Sequence, residues 1–180
     1  MFIEQAYKGE NETWKFVITC ILTMGIFISN LLFFLFVDVD PQAAMDDMMR
    51  LFKSKNLLLA FNLAVFIPIL AVLFLLVWAL HKRSILSLTT ARKKVDWSRI
   101  FFSFMMVFIY TVVSFGIVYY MTPEDYVLQF DSSKFGILVL IGLVFFPFQI
   151  GLEEYLFRGY VMQQVGIMAR NRWFPLVLTS

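Results

Sequence analysis

The amino-acid sequence predicts an all-α membrane protein, a polytopic bundle of transmembrane helices. Hydrophobic residues make up 61% of the 180 residues and charged residues only 16%, whereas soluble domains average about 45–50% apolar and ~25% charged residues. The apolar residues are also gathered into four long runs, each close to the roughly 20 residues that a membrane-spanning helix needs. The length fits a single membrane domain over residues 1–180.

Four complete spans are predicted along the chain, at 16–37, 57–80, 100–121 and 135–152. The first is too long for the apolar core of a cleaved signal peptide, about 7–15 residues, so it is interpreted as a retained helix. A fifth apolar run begins at Trp173 and stops at Ser180. Helical residues rise only about 1.5 Å each, so this run covers less than half of the ~30 Å hydrocarbon core. The prediction is therefore four complete transmembrane helices and the start of a fifth.

Aspartates are predicted to cap the N-terminal ends of three helices. Asp40 stands before Pro41 and the amphipathic run PQAAMDDMMRLFK, which predicts a short capped helix. Asp96 and Asp131 are placed to cap the third and fourth spans. The aspartates of 38–47 suggest a cation site, but their spacing lacks the Gly and Glu of a calcium loop, which favours a solvated loop.

The remaining reactive or basic residues are interpreted as structural. Cys20 is the single cysteine, so no internal disulfide is possible, and we interpret it as a small packing residue. His81 is the single histidine and adjoins Lys82 and Arg83, which favours an interfacial side chain over a catalytic one. The basic cluster at 91–94 is interpreted mainly as a determinant of topology, with contact to anionic lipid as the further possibility.

The distribution of Lys and Arg predicts a cytoplasmic N-terminus and a cell-membrane location. With that orientation, eleven of the 15 Lys and Arg residues lie on the inner side, as the positive-inside rule requires. The loops 81–99 and 122–134 decide the assignment. Tryptophans favour the membrane interface, and all four lie at span ends assigned to the inner side: Trp14, Trp78, Trp97 and Trp173.

The stretch GLEEYLFRGY, 151–160, places three ionisable residues directly after the fourth apolar run. Glu154 and Arg158 are four apart, so on a helix they share a face and can form an ion pair. Glu153 lies about 100° around the helix from Glu154. It is therefore free to face a cavity and to act as a general base. The alternative is that all three are ordinary interfacial charges ending a helix.

EEYLFR resembles the EExxxR motif of the CPBP family, the CAAX-protease and bacteriocin-processing (Abi) membrane proteins. Phe157 before the arginine, Gly159-Tyr160 after it and the stretch ARNRWFPLVLTS extend the resemblance over 135–180. The resemblance implies an intramembrane endopeptidase of the type II CAAX prenyl endopeptidase kind, acting near the cytoplasmic face. In that enzyme Glu153 would activate the attacking water, Glu154 would support it and Arg158 would orient the glutamates.

The resemblance also implies partners and a cofactor question. The implied partners are membrane lipid and a membrane-associated or lipidated peptide. A net charge of +2 gives no reason to expect nucleic acid. The family carries two later histidine motifs, and a divalent ion such as zinc has been argued for and against in its site, so the cofactor stays unknown.

No histidine follows His81, so both later motifs of the family are missing from this chain. We therefore expect an N-terminal part of such a protein, inactive by itself. The alternative is a non-catalytic membrane protein, such as a bacteriocin-immunity or scaffold protein. A small transporter is disfavoured because the sequence has no paired half-repeats with matching broken helices.

Overall fold

The structure is a computed structural model that describes residues 2–36, 40–52, 54–127, 130–170 and 173–179. Every regular element within these residues is helical, which confirms the all-α prediction. The α-helices are α1 Thr13–Phe36, α2 Pro41–Phe52, α3 Lys55–Ala64, α4 Phe66–Ala79, α5 Leu86–Thr89, α6 Trp97–Met121, α7 Ser132–Glu153, α8 Met162–Ala169 and α9 Trp173–Thr179. Two 3-10 helices, Ile3–Lys8 and Pro123–Asp125, and a π-helical segment, Glu154–Val161, complete the elements.

Three helical runs in the described part of the chain are long and apolar enough to cross a membrane: Lys55–Ala79, Trp97–Met121 and Ser132–Ala169. They contain the third and fourth predicted spans, and the second except for its last residue, Leu80. The first predicted span coincides with α1, but it ends at Val37, outside the described residues. Some side chains of α1 beyond Gly25 lie outside the description. The stretch before them, Thr13–Gly25, is apolar but shorter than a membrane span. Three helices able to span a membrane are thus found among the described residues, and the fifth apolar run is helical as α9.

The predicted caps are present, and a proline explains where the second span breaks. The carboxylate of Asp96 accepts a hydrogen bond from the Arg99 N–H, and that of Asp131 accepts from two backbone N–H groups. Asp40 Oδ1 lies 3.0 Å from the Gln42 nitrogen at the start of α2. Pro68 has no N–H to donate to Ala64 and its ring crowds that carbonyl. The helix is accordingly interrupted between α3 and α4.

The fourth span does not end where its apolar sequence ends. The fourth predicted span, 135–152, covers only part of this helix, because α7 continues through the π-helical segment into α8 as far as Ala169. The run EEYLFR contains no proline and consists mainly of residues that helices tolerate well, so nothing stops the helix there. It stops at Arg170, which takes a left-handed φ of 51°, a conformation that ends many helices.

The core lies where α4 packs against α1 and α7. Its buried members are Ile69, Leu70, Leu73, Val77, Leu88, Leu152, Leu156 and Tyr160. This core therefore holds the π-helical segment against α4 and α5. In contrast, α6 has no buried residue among its described side chains, so it contributes length and hydrophobicity but little internal packing.

Gly159 lies close to Leu88 of this core and gives a first prediction. A Cβ at Gly159 would lie 3.1 Å from the Leu88 oxygen and 3.3 Å from its Cβ. Gly159→Ala should therefore lower the free energy of unfolding by about 1–3 kcal/mol, as overpacked cores do. The measurement is unfolding in detergent micelles. Gly136→Ala is the matched control, because a Cβ there meets nothing within 4 Å and alanine favours a helix by up to about 1 kcal/mol. Equal stability of the two variants would contradict the packing.

Candidate functional site

The three predicted site residues lie at the junction between α7 and the π-helical segment. Glu153 is the last residue of α7, and Glu154 and Arg158 lie in the π-helical segment, which we call the site segment, Glu154–Val161. π-helical turns are rare and frequently occur at functional sites, because the inserted residue re-aims neighbouring side chains.

Glu154 and Arg158 form the predicted ion pair. Arg158 Nη1 lies 3.2 Å from Glu154 Oε2, and the two side chains are 65% and 51% exposed. Both line a cavity of about 370 Å³ on the side of α5, where the other lining residues are Phe2, Leu88, Thr89, Tyr155, Gly159 and Met162. The pair is therefore held by local spacing and opens onto a shallow, mixed surface.

Glu153 lies on a different cavity from its neighbour. It is the only charged residue among those lining an apolar cavity of about 260 Å³, with Met24, Phe66, Leu152, Leu156 and Phe157. Arg158 does not line this cavity, and its ion pair among the described residues is with Glu154. An unpaired carboxylate beside an apolar wall can accept a proton from a water molecule while the wall holds an apolar group.

A turn after α4 holds the site segment from one side. We call residues 81–89 the strap. Lys82 takes a left-handed φ of 51°, and the Arg83 N–H donates to the Val77 oxygen at 3.2 Å. This bond closes a reversal typical of helix C-termini. The turn directs His81 and Arg83 inward, and the strap then contacts the site segment through Leu88 and through Thr89.

His81 is fully buried, so the prediction of an interfacial side chain is wrong. Its Nδ1 lies 2.7 Å from the Glu10 oxygen and its Nε2 lies 2.8 Å from the Tyr160 hydroxyl oxygen. A carbonyl oxygen can only accept, so Nδ1 carries the hydrogen and Nε2 accepts from Tyr160. The pKa of His81 is lowered by burial, with the cations Arg83 and Lys15 adding to the effect. The left-handed turn and the covering N-terminal residues cause this burial.

Arg83 is a second buried group that sequence reasoning missed. It is only 2% exposed, and its Nη2 donates to Ser87 Oγ at 3.2 Å and to Gln163 Oε1. Nε and Nη1 have no hydrogen-bond partner within the described chain. Burial lowers the pKa of Arg83 to about 10. Tyr160 and Gln163 recur at helical spacing directly after the EEYLFR motif, and this recurrence was the available signal for a buried polar face.

The described residues do not assemble a metal site. No group of three or more His, Cys, Asp or Glu residues among them is placed to hold a metal ion. Glu153 and Glu154 line separate cavities, and both ring nitrogens of His81 are hydrogen-bonded. A divalent ion such as zinc therefore does not fit these described residues by themselves.

Comparison with known proteins gives one relative of relevance. The chain is 27% identical over 186 residues to uncharacterized protein YyaK of Bacillus subtilis (strain 168). The similarity covers 96% of this chain and 58% of the relative, so the chain spans little more than half of that protein's length. No protein-family model matches the chain, and no solved structure matches it.

The Glu154–Arg158 pair gives a prediction about stability. Both side chains are more than half exposed, and exposed pairs contribute about 0–1 kcal/mol. A double-mutant cycle with Glu154→Ala and Arg158→Ala should therefore give a coupling free energy in that range, measured by reversible unfolding in mixed micelles. A coupling of about 3 kcal/mol or more would mean that the pair is desolvated in the folded protein.

Proposed function

We propose that this chain carries the glutamate segment of an intramembrane endopeptidase similar to the CPBP family. The observation that supports it best is the divergence of two adjacent carboxylates. Glu154 is paired with Arg158, whereas Glu153 is not in that ion pair and lines an apolar cavity. A carboxylate that activates water must be available to take up a proton. A charged group fixed beside it can help to keep the polar groups of the site in place.

In the proposed reaction Glu153 takes a proton from a water molecule as the water oxygen bonds to the peptide carbonyl carbon. The carbon–nitrogen bond then breaks, and the proton passes to the departing nitrogen, so one water is consumed per peptide bond. Glu154, held by Arg158, supports the base. The oxyanion needs hydrogen-bond donors. His81 is engaged elsewhere, so the proposal requires donors other than this histidine.

The proposed setting is the cell membrane, with the N-terminus in the cytoplasm. Three long apolar helices support a membrane location. Because Lys and Arg are concentrated in 81–99 and sparse in 122–134, those loops are assigned to the inner and outer sides. Glu153 then lies toward the cytoplasmic side, where a membrane-associated or lipidated peptide would be cleaved.

A non-catalytic membrane protein, such as an immunity or scaffold protein, is the second candidate. It is favoured by the position of the single histidine, which lies in a buried hydrogen-bond network instead of beside the glutamates. In that case, the strap and the site segment serve only to keep the fold.

The topology can be tested with single cysteines. In a Cys20→Ser background, a membrane-impermeant maleimide added to intact cells should label Ser132→Cys and should leave Lys94→Cys unlabelled. Permeabilised cells should show both residues labelled. Labelling of Lys94→Cys alone in intact cells would indicate the opposite orientation, with Glu153 toward the outer side.

The peptidase function can be tested with the full-length protein. Purified protein in proteoliposomes is assayed with quenched peptides, with and without a farnesylated cysteine. Glu153→Ala should lower hydrolysis by about 10²–10⁴-fold, the usual effect of removing a general base. Glu124→Ala is the matched control, because Glu124 is an exposed glutamate in a distant 3-10 helix. Undiminished hydrolysis in Glu153→Ala would reject Glu153 as the base, and absence of hydrolysis with every peptide would favour the non-catalytic candidate.

A further inference from the structure

The N-terminal residues lie over the strap and are bonded to it. We call residues 3–11 the cover. The Glu10 N–H donates to the His81 oxygen at 3.0 Å, and the His81 Nδ1–H donates back to the Glu10 oxygen at 2.7 Å. Gly9 lies so close to the His81 oxygen and to the Arg83 side chain that no Cβ fits there. The cover therefore contacts both the backbone and the side chains of the strap.

The same histidine joins the strap to the site segment. Its Nε2 accepts the Tyr160 hydroxyl at 2.8 Å, and the two rings meet nearly edge to face, with centroids 5.3 Å apart. Both residues are completely buried. Tyr160 lies two residues after Arg158, so one side chain, His81, hydrogen-bonds both the cover and the segment that carries Glu154 and Arg158.

We infer that His81 is a positioning residue whose neutral ring ties the cover to the site segment, so that acidification releases the cover and loosens the site segment. What the loosening means for catalysis rests on the proposed function. The conformational change itself does not, because it needs only the hydrogen bonds and charges of the described residues.

Charge around His81 explains why protonation opposes this arrangement. The groups that face the ring are Glu10 from the cover, Lys15 from α1, Arg83 from the strap and Tyr160 from the site segment. Lys82 is next in the chain and is largely exposed. Glu10 is already paired with Lys15 and Lys82. A proton on His81 would therefore add a buried cation beside Arg83 and Lys15, and it would remove the lone pair that accepts from Tyr160.

His81 is also the group that can titrate in the relevant range. The chain has a single histidine, and hydrogen bonds from Lys15 and then Lys82 lower the pKa of Glu10 to about 2. Glu10 thus stays ionised through mild acid. Because the pKa of His81 is lower in the folded chain than in the unfolded one, its stabilising contribution is complete above about pH 6.5 and falls as the pH drops through the folded value.

The test uses spin labels in a Cys20→Ser chain reconstituted in nanodiscs. One label is placed at Lys8→Cys on the cover and, in a separate sample, another at Phe157→Cys on the site segment. Electron paramagnetic resonance spectra are recorded from pH 8 to pH 4.5. Both labels should gain a mobile component with the same midpoint, below about pH 6.5. No change at the cover, or a change at the cover alone, would overturn the inference.

Two variants separate His81 from general acid sensitivity. His81→Gln cannot take up a proton in this range, so the mobility of both labels should become independent of pH between 8 and 5. Tyr160→Phe removes the hydroxyl donor, so the two labels should lose their common midpoint. Tyr155→Phe is the matched control, since its hydroxyl meets Thr89 Oγ1 at 3.2 Å and not the histidine, and it should keep the wild-type midpoint.

A direct titration keeps the test decisive if His81→Gln does not fold. The ring signal of ¹³C-labelled histidine in the otherwise native chain gives the pKa of His81 by nuclear magnetic resonance. A value at or above about 6.5 would overturn the inference. A protein that shows the mobility transition but hydrolyses no peptide would leave the inference standing and would reject the proposed function.

Discussion

The contact between the strap and the site segment is the constraint on which the rest of the structure depends. Gly159 lies so close to Leu88 that a Cβ there would be 3.1 Å from the Leu88 oxygen, and Tyr160 is hydrogen-bonded to His81 from within the core. Because interiors are close-packed, a change at one of these points must shift the others. The segment held by this contact carries Glu154 and directly follows Glu153.

This largely apolar protein has a buried cluster of polar side chains. His81, Arg83 and Gln163 are buried together, and hydrogen bonds join His81 to the cover and Arg83 to Gln163. Buried charges are unfavourable unless they are paired, and the guanidinium still has two nitrogens without partners in the described chain. Such a network restricts the geometry of its members strongly, because each lost hydrogen bond leaves an unsatisfied buried group.

The two glutamates lie where the α-helix changes into the π-helical segment. The π-helical segment begins immediately after Glu153, so two consecutive carboxylates receive different surroundings. Glu154 is paired on the side of α5, and Glu153 lies beside residues of α1 and α4. The peptidase proposal uses this asymmetry, although all three charged side chains are exposed, as the solvated charges of a helix end would also be.

The sequence by itself determined the features that depend on neighbours in the chain. The apolar runs located the three long helices, Asp96 and Asp131 capped the helices as predicted, and the spacing of Glu154 and Arg158 produced their ion pair. Each of these interactions spans at most about one helical turn, or depends on composition alone.

Only the tertiary structure decided the burial of His81 and the separation of the two cavities. The contact from His81 to Tyr160 joins residues 79 positions apart, and the cavity beside Glu153 is built from α1, α4 and α7. Local pattern assigned His81 to an interface because its neighbours Lys82 and Arg83 are charged. The left-handed turn at Lys82 turned it inward instead. Packing between distant elements decides such positions, and a single sequence does not encode that packing in any local period.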